Sequence, residues 1–290
     1  MGESLRDIQR KIQAVKKTKQ ITKAMNMVAS AKLRNAQLRI ERFRPYADKY
    51  FEVISDLAGR VDASSYPLLE KREEIKTVGI VLITSDKGLC GAFNANLCTA
   101  ALKLAQSKQS EGKEVKFICI GKRARDFFRK TEFEILEEKI EVLNHFDFQL
   151  ANEVGETVID KFLARHVDEV YVVFGKFVTI IKQEPTIAKV LPVESGAKSG
   201  DSSSEYVFEP SVEGLLTELL PRYVKVQIYR ALLDTSASEH AARMTAMDNA
   251  TKNCNELVNS LTLVYNKARQ ASITAELMDI VGGAEALKNA

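Results

Sequence analysis

The apolar residues near the carboxyl end of the chain repeat with the spacing of a helix that packs against a partner helix. Small and apolar residues recur there at alternating steps of four and three: Ala250, Cys254, Leu257, Leu261, Val264, Ala268, Ala271, Ala275 and Met278. This is the a/d spacing of a coiled-coil seam. Because 222–281 contains neither proline nor glycine, the pattern predicts one helix that begins at Pro221 and ends at Gly282.

The amino-terminal segment, residues 1–58, has a matching pattern and is predicted to form a second long helix. Its apolar positions fall into three groups, of which the middle one lies on a shifted face: Leu5, Ile8, Ile12 and Val15; then Ile21, Met25 and Val28; then Ala29, Leu33, Ala36, Ile40 and Phe43. Pro45 predicts a kink, or the boundary between two helices. Each helix alone would expose an apolar stripe, so we expect the two to pack together.

The length of the carboxyl-terminal helix limits how the chain can fold. Sixty residues at about 1.5 Å each give a helix of roughly 90 Å. A compact chain of this size has a diameter of roughly 50 Å. We therefore expect an antiparallel coiled coil of the two chain ends that projects from a globular body.

The middle of the chain changes to short apolar runs separated by helical patterns. Strands are predicted at Val78–Ile83, Val115–Ile120 and Glu169–Phe174, helices at Ala95–Lys108, Lys122–Arg129 and Gln149–Arg165, and a closing hairpin at Phe177–Gln183 with Thr186–Val190. This order is typical of a Rossmann-like α/β domain with a mainly parallel sheet, so the fold class is α+β or α/β. The predicted segments are a connector at 59–76, the α/β domain at 77–194, a flexible loop at 195–210 and the carboxyl-terminal helix at 211–290.

Composition and charge narrow the class of protein. The 290 residues are 45% hydrophobic, and no apolar run reaches the roughly 18 residues of a membrane span. The amino terminus lacks the apolar core of a secretion signal, so we expect the chain to stay in the compartment where it is made. Residues 1–44 contain twelve Lys or Arg and three acidic residues, which favours an acidic protein, nucleic acid or anionic lipid as a partner.

Few residues of the sequence are candidates for catalysis, nucleotide binding or metal binding. The loop Ser85–Gly91 follows a strand and precedes a helix, but it matches neither GxGxxG nor GxxxxGK[ST], and a tight turn is favoured over a nucleotide site. Cys90 as a nucleophile would need a histidine partner, and His145, His166 and His240 have no distinguishing context. The four cysteines form no CxxC, and no cluster has metal-ligand spacing. A nucleotide-dependent enzyme that uses the Gly88–Gly91 turn and a basic coiled coil that binds nucleic acid are the alternatives to a structural, protein-binding role.

Four segments resemble the gamma subunits of the F-type ATP synthases. They are Ile21–Gln37 (ITKAMNMVASAKLRNAQ), Gly88–Asn94 (GLCGAFN), Ser238–Thr251 (SEHAARMTAMDNAT) and Leu261–Leu287 (LTLVYNKARQASITAELMDIVGGAEAL). Together they cover both predicted long helices and the domain between them. The chain has no chloroplast-type cysteine insert, so the resemblance is to the bacterial subunits.

The resemblance implies a central rotor shaft. The paired helices would stand inside a hexamer of alpha and beta subunits, with the globular base and the epsilon subunit on the membrane ring of c subunits, and with delta in the same complex. Proton flow would turn the shaft, and ATP or ADP and Mg²⁺ would bind to the partner subunits. This chain would then have no catalytic residue, no cofactor, no metal and no nucleic-acid partner, and would lie at the cytoplasmic face of the bacterial membrane as a peripheral subunit.

The resemblance also implies contact residues. Met25, Arg269, Gln270, Thr274 and Glu276 match segments that contact the beta subunits. Lys11, Lys17, Lys19 and Lys23 would face acidic loops of beta, which agrees with the basic charge of the first 44 residues. Tyr206 and Glu209 resemble the segment that touches the c ring.

Overall fold

The structure, a computed structural model, describes residues 4–59, 61, 65–194 and 212–288. The chain divides into two compact units: unit 1 is Met1–Val28 with Met244–Ala290, and unit 2 is Ala29–Arg243. The elements in order are α1 (Leu5–Ala58), β1 (Thr77–Ile83), α2 (Phe93–Ser110), β2 (Glu114–Ile120), α3 (Lys122–Phe128), β3 (Glu134–Lys139), α4 (Phe148–Leu163), β4 (Glu169–Phe177), β5 (Gln183–Leu191) and α5 (Val212–Lys288). The loop predicted at 195–210 lies outside the described residues.

Unit 2 is built on a five-stranded sheet with the order β3-β2-β1-β4-β5. The first four strands are parallel, and β5 is antiparallel to β4. This confirms the predicted mainly parallel sheet. Every residue of β1 after Thr77 is buried, as expected of a central strand covered by helices on both faces.

Alternate residues of the strands contribute to two apolar clusters, one on each face of the sheet. Val81, Ile83 and Ile118 pack with α4 and with parts of α1 and α5, including Leu57 and Leu232. The second cluster joins other strand residues to α2 and α3: Ile80, Leu82, Phe117 and Cys119 with Leu97, Ala101 and Phe128. The period-2 alternation of side chains along a strand produces this division.

The edges of the sheet differ from the sequence prediction. The first strand of the predicted hairpin, Phe177–Gln183, is wrong, because β4 continues to Phe177 and pairs directly with β5. The second predicted strand, Thr186–Val190, lies within β5 and is confirmed. Residues 178–182 form the turn, in which the Thr179 amide donates to the Lys182 carbonyl at 3.0 Å. The pattern also failed to predict β3, since its sequence EILEEK contains three glutamates and no apolar run. Both departures involve edge strands, where one side of the backbone is open and the hydrophobic signal is weak.

The long helices run through residues that were predicted to end them. Helix α1 contains Pro45, and α5 contains Pro221 and continues through Gly282 and Gly283 to Lys288. Around Pro221, the burial of Leu216, Leu220 and Val224 favours a continuous helix. The helix also continues through Gly282 and Gly283, since a helical glycine costs only about 1 kcal/mol. The predicted helix boundaries at Pro221 and Gly282 are therefore wrong.

One glycine of unit 2 allows a close backbone approach, which gives a test of the fold. Gly121 has a φ of +96°, and a Cβ built on it would lie 2.3 Å from the Thr84 carbonyl oxygen. We expect Gly121→Ala to lower the free energy of unfolding in urea by about 1–2 kcal/mol for the left-handed backbone and by a further ~1–3 kcal/mol for the clash.

Gly112→Ala is the matched control. Gly112 also has a positive φ, +80°, but no atom lies within 4 Å of a Cβ at this position. This variant should lose only the backbone contribution, about 1–2 kcal/mol. Equal losses in the two variants would show that the approach of Gly121 to Thr84 does not constrain the fold.

Candidate interaction surface

Unit 1 is an antiparallel pair of helical segments. The hydroxyl oxygens of Thr22 and Thr251 lie 2.8 Å apart, and the Asn26 side-chain amide donates to the Met244 carbonyl at 2.8 Å. Residue numbers rise along α1 where they fall along α5, so the two segments run in opposite directions. This confirms the predicted antiparallel pairing of the chain ends.

The seam on α1 follows the predicted spacing except in its middle. Leu5, Ile8, Ile12 and Val15 face inward, as predicted, and so do Ala29, Leu33, Ala36, Ile40 and Phe43 in unit 2. The predicted shift of face is wrong, because Ile21 and Val28 are 60% and 58% exposed. Thr22 is buried at this level of the seam, and Lys19 and Met25 are half-buried.

The seam on α5 is rotated relative to the prediction. Ala250, Cys254, Leu261 and Ala268 are half-buried, as predicted. The other inward positions are Thr251, Val258, Tyr265 and Ser272. Leu257 and Val264 are 48% and 49% exposed, and Ala271, Ala275 and Met278 are also exposed, so the prediction for these five is wrong. Both the predicted and the observed seam of α5 have steps of four and three. The predicted seam is the more apolar of the two, so apolar character alone selects the wrong one.

Among the described residues, none covers the last part of α5. Helix α1 begins at Leu5, and the antiparallel register set by the Thr22–Thr251 contact, continued for seventeen residues along each helix, brings Leu5 to the level of Ala268. Every residue from Ile273 to Glu285 is exposed. The exposed apolar side chains in this stretch are Ile273, Leu277, Met278, Ile280 and Val281. Unit 1 therefore presents a bare helix with both apolar and polar side chains.

The residues predicted to contact partners lie at two levels of unit 1. Lys11, Lys17 and Lys23 are exposed on α1, and Lys19 and Met25 are half-buried at the seam. Arg269, Gln270, Thr274 and Glu276 are exposed on α5, where the Thr274 hydroxyl donates to the Gln270 carbonyl at 2.9 Å. Tyr206 and Glu209 lie outside the described residues. The structure therefore places the four α5 residues close together. Lys23 and Met25 lie on α1, at a different level of unit 1.

The loop after β1, in unit 2, is closed by its own side chains. The Asn94 side-chain amide donates to the Ser85 hydroxyl at 2.8 Å and contacts the Cys90 sulfur at 3.1 Å. Burial raises the pKa of the Cys90 thiol, and only 2% of this residue is exposed. A protonated, inaccessible thiol is a poor nucleophile, so the geometry speaks against cysteine catalysis.

Asp86 joins three loops at the same edge of the sheet. Its carboxylate accepts hydrogen bonds from the backbone amides of Lys122 at 3.0 Å, Glu141 at 2.9 Å and Leu143 at 3.3 Å. These amides follow β2 and β3, while Asp86 follows β1. The sequence analysis did not single out this residue, although an aspartate directly after a buried strand is a recognisable signal for such a role.

Helix α5 lies at the position where α/β sheets of this type bind ligands. Such sheets bind ligands at the carboxyl ends of strands where the strand order reverses, which here is between β1 and β4. At β4 the Thr235 hydroxyl accepts from the Gly175 amide at 3.3 Å, and the Ser238 hydroxyl donates to the Gly175 carbonyl at 2.9 Å. In the loop after β1, the Arg243 guanidinium donates to the Gly88 carbonyl at 3.1 Å. The chain's own helix thus contacts both sides of this crevice.

A buried ion pair anchors α5 at the crevice. Arg243 Nη1 lies 2.7 Å from Glu239 Oε1, and both side chains are about nine-tenths buried. Burial raises the pKa of Glu239, and the charge of Arg243 offsets part of that rise; Asp86 adds to it and Lys32 lowers it. Sequence reasoning did not identify this pair, because the i, i+4 spacing of Glu and Arg is common on exposed helix faces.

In the parts of the chain that the structure describes, no three His, Cys, Asp or Glu side chains are grouped as metal ligands would be. Among the same residues, no helix is both long enough and apolar enough to span a bilayer.

Comparison with known proteins identifies the family. A family model described as ATP synthase matches residues 4–287. The ATP synthase gamma chain of Maridesulfovibrio salexigens is 63% identical, over 98% of this chain and 99% of that protein. The chain belongs to the ATP synthase gamma-chain family. The gamma chain of Syntrophobacter fumaroxidans, at 52% identity over the same shares of the two chains, is a more distant relative.

Solved structures confirm the fold of the family. A chain in the cryo-EM structure of the Euglena gracilis mitochondrial ATP synthase rotor matches with a TM-score of 0.67 and 22% identity, over 93% of this chain and 98% of that one. A chain of the same enzyme's OSCP/F1/c-ring structure matches with a TM-score of 0.68 and 21% identity, over 98% and 94%. The predicted combination of long terminal helices and a central α/β domain is therefore confirmed.

The buried ion pair gives a prediction about pH. A carboxyl group whose pKa is raised by folding binds protons more tightly in the folded state, so its contribution to stability falls as pH rises above the unfolded value of about 4.3. Arg243→Met removes the offset and leaves a buried carboxylate unpaired. We expect a loss of about 3–5 kcal/mol at neutral pH and a steeper decline than in the wild type, measured by urea unfolding between pH 5 and 8.

The matched control is Arg243→Met combined with Glu239→Gln. This double variant has no carboxyl group at the site, so the additional pH dependence should disappear. If the steeper pH dependence of the free energy of unfolding persisted in the double variant, it would have to come from another titratable group.

Proposed function

We propose that this chain is the rotating central shaft of a bacterial F-type ATP synthase. It would couple proton flow through the membrane to ATP synthesis, or ATP hydrolysis to proton pumping, at catalytic sites on the beta subunits. Membership of the gamma-chain family supports this function, with 63% identity along nearly the whole chain. The structural observation that carries the proposal is the bare carboxyl-terminal part of α5.

The carboxyl-terminal part of α5 exposes an apolar surface that would be unfavourable in water. Between Ile273 and Val281 five large apolar side chains are 49–68% exposed. A helix surrounded only by water usually exposes less apolar surface than this. A collar of other subunits around this helix would remove the apolar surface from water while leaving the helix free to turn, because apolar contacts are non-directional.

The polar side chains near the collar would transmit force. Arg269, Gln270, Thr274 and Glu276 are exposed within two turns of α5, and we propose that they contact the beta subunits. The guanidinium of Arg269 can bind a carboxylate with two parallel hydrogen bonds. On α1, Lys11, Lys17, Lys19 and Lys23 would meet acidic loops of beta, and Met25 would also contact the beta subunits. A small number of such contacts can couple rotation and still release at each step.

The remaining partners follow from the same proposal. The globular unit would contact epsilon and, through Tyr206 and Glu209, the c ring, in a complex that also contains alpha and delta at the cytoplasmic face of the membrane. This chain would bind no cofactor; ATP, ADP and Mg²⁺ would bind to partner subunits. The contacts of α5 with Gly88 and Gly175 support this, since they lie where a nucleotide would bind in an enzyme of this fold.

The contact residues can be tested in the assembled complex. We expect Arg269→Leu with Gln270→Leu to reduce ATP synthesis driven by a proton gradient in vesicles at least tenfold, since the loss of one to two charge-assisted hydrogen bonds is worth roughly 1.5–3 kcal/mol each. Lys130→Leu, an exposed cation of unit 2, is the control and should keep the full rate. Unchanged synthesis in the double variant, with the complex intact, would contradict the proposed role.

The absence of catalysis can be tested separately. The purified chain mixed with MgATP should release no phosphate above the background rate, because the chemistry belongs to the beta subunits. Addition of the alpha and beta subunits should produce hydrolysis. Steady ATP turnover by the lone chain would favour the nucleotide-dependent enzyme instead.

A further inference from the structure

Two turns of α5 in unit 2 are enclosed by the rest of that unit. Every residue from Thr235 to Ala241 is buried, whereas a helix at the surface of a domain usually keeps one face in water. Five of these seven residues are nevertheless polar: Thr235, Ser236, Ser238, Glu239 and His240. Buried polar groups are stable only when they are paired, so their partners determine the stability of this stretch.

His240 is incompletely paired, unlike the residues beside it. The Ser238 hydroxyl donates to the Gly175 carbonyl at 2.9 Å, and the Glu239 carboxylate lies 2.7 Å from the Arg243 guanidinium. Only 9% of His240 is exposed, and its Nδ1 atom is buried without a hydrogen-bond partner among the described residues. A buried ring nitrogen without a partner is unfavourable even in the neutral imidazole.

The charged groups around His240 make its site still less favourable for the imidazolium form. The charges that act on it are Lys32 on α1 and Arg243 on α5, and both are cations. Two carboxylates lie in the same region, but Glu239 is paired with Arg243 and Asp86 accepts three backbone amides. Burial and the two cations lower the pKa of His240 from 6.5 to about 4.

Proton uptake by His240 is therefore coupled to movement of α5. In water an imidazole has a pKa of about 6.5. Because the stretch from Thr235 to Ala241 has no face in water, the side chain regains this pKa only when the stretch leaves its neighbours. The folded pKa is the lower one, so the packed state keeps its full stability above the ordinary pKa and loses stability as pH falls towards the folded value.

We propose that His240 is an acid-sensitive latch on α5. While its imidazole is neutral, the enclosed stretch stays packed; in acid, uptake of one proton favours a state in which this stretch has opened. The latch lies beside the contacts of Ser238 with Gly175 and of Arg243 with Gly88, which join α5 to the sheet. Opening therefore loosens the attachment of α5. This inference goes beyond the proposed function and does not depend on it.

Hydrogen exchange in the full-length chain, compared at pH 7 and pH 5, tests the latch. The measured rates are first corrected for the intrinsic effect of pH on amide exchange. Protonation of an opened state with the ordinary imidazole pKa raises the opening constant ~20-fold between these two pH values. We expect the backbone amides of residues 235–243 to exchange faster at pH 5 by this factor. An unchanged corrected rate would overturn the proposal.

The other two histidines supply matched controls. His240→Asn removes the titratable group but keeps a polar side chain, and it should abolish the acceleration at pH 5 in the same amides. His145→Asn and His166→Asn change histidines that are exposed, so both variants should keep the acceleration. An equal acceleration in the wild type and in His240→Asn would show that another group causes the opening.

A second measurement leaves His240 unaltered and does not require its variant to fold. NMR spectroscopy can follow the imidazole C–H signals of the three histidines as pH is lowered, with the His145→Asn and His166→Asn chains used for assignment. In the folded chain the His240 signal should remain that of a neutral ring well below the ordinary pKa of about 6.5. Lys32→Met removes the cation on α1 and should move its titration to higher pH. Titration of His240 at the ordinary pKa in the folded chain would contradict the latch, since the imidazolium would then fit the packed site.

Discussion

A helix can bury only one face against a single partner, and this constraint governs unit 1. The α1 and α5 segments of this unit have more apolar positions than one seam can hold, so some must remain exposed. On α1 the seam contains Leu5, Ile8, Ile12 and Val15 and leaves Ile21 and Val28 exposed. The Thr22–Thr251 hydroxyl contact and the Asn26 amide join the two helices farther along the seam.

In unit 2 the corresponding constraint is that buried polar groups need partners. The carboxyl edge of the sheet has many such groups, and in enzymes of this fold a ligand contacts several of them. Here the side chains of Asp86, Asn94, Ser238 and Arg243 contact them. The architecture of a ligand-binding sheet is therefore used as a rigid attachment for α5.

The sequence predicted the fold better than it predicted the surface. The heptad spacing identified both long helices and their pairing, and the buried strands β1, β2 and β4 were readily recognised from runs such as VGIVLI. The errors have local physical causes. Pro221 and Gly282 weaken a helix without ending it, and β3 has a charged sequence because it lies at the sheet edge. Hydrophobicity placed Leu257 and Val264 in the seam, whereas the structure leaves them about half exposed and turns Thr251 and Val258 inward. The contact residues came from the family resemblance, and pattern reasoning alone would not have found them.

The two edge strands of the sheet affect how the protein behaves beside other subunits. One outer strand, β5, contains Pro185, which has no amide hydrogen to offer an incoming strand, and the other, β3, has Glu134, Glu137 and Glu138 along its short length. Proline and clustered charge both discourage the addition of a foreign strand to an open edge. A subunit of a multiprotein complex lies close to the strands of many other chains. These edge strands do not pair with them, so the globular part of the chain can remain a separate body.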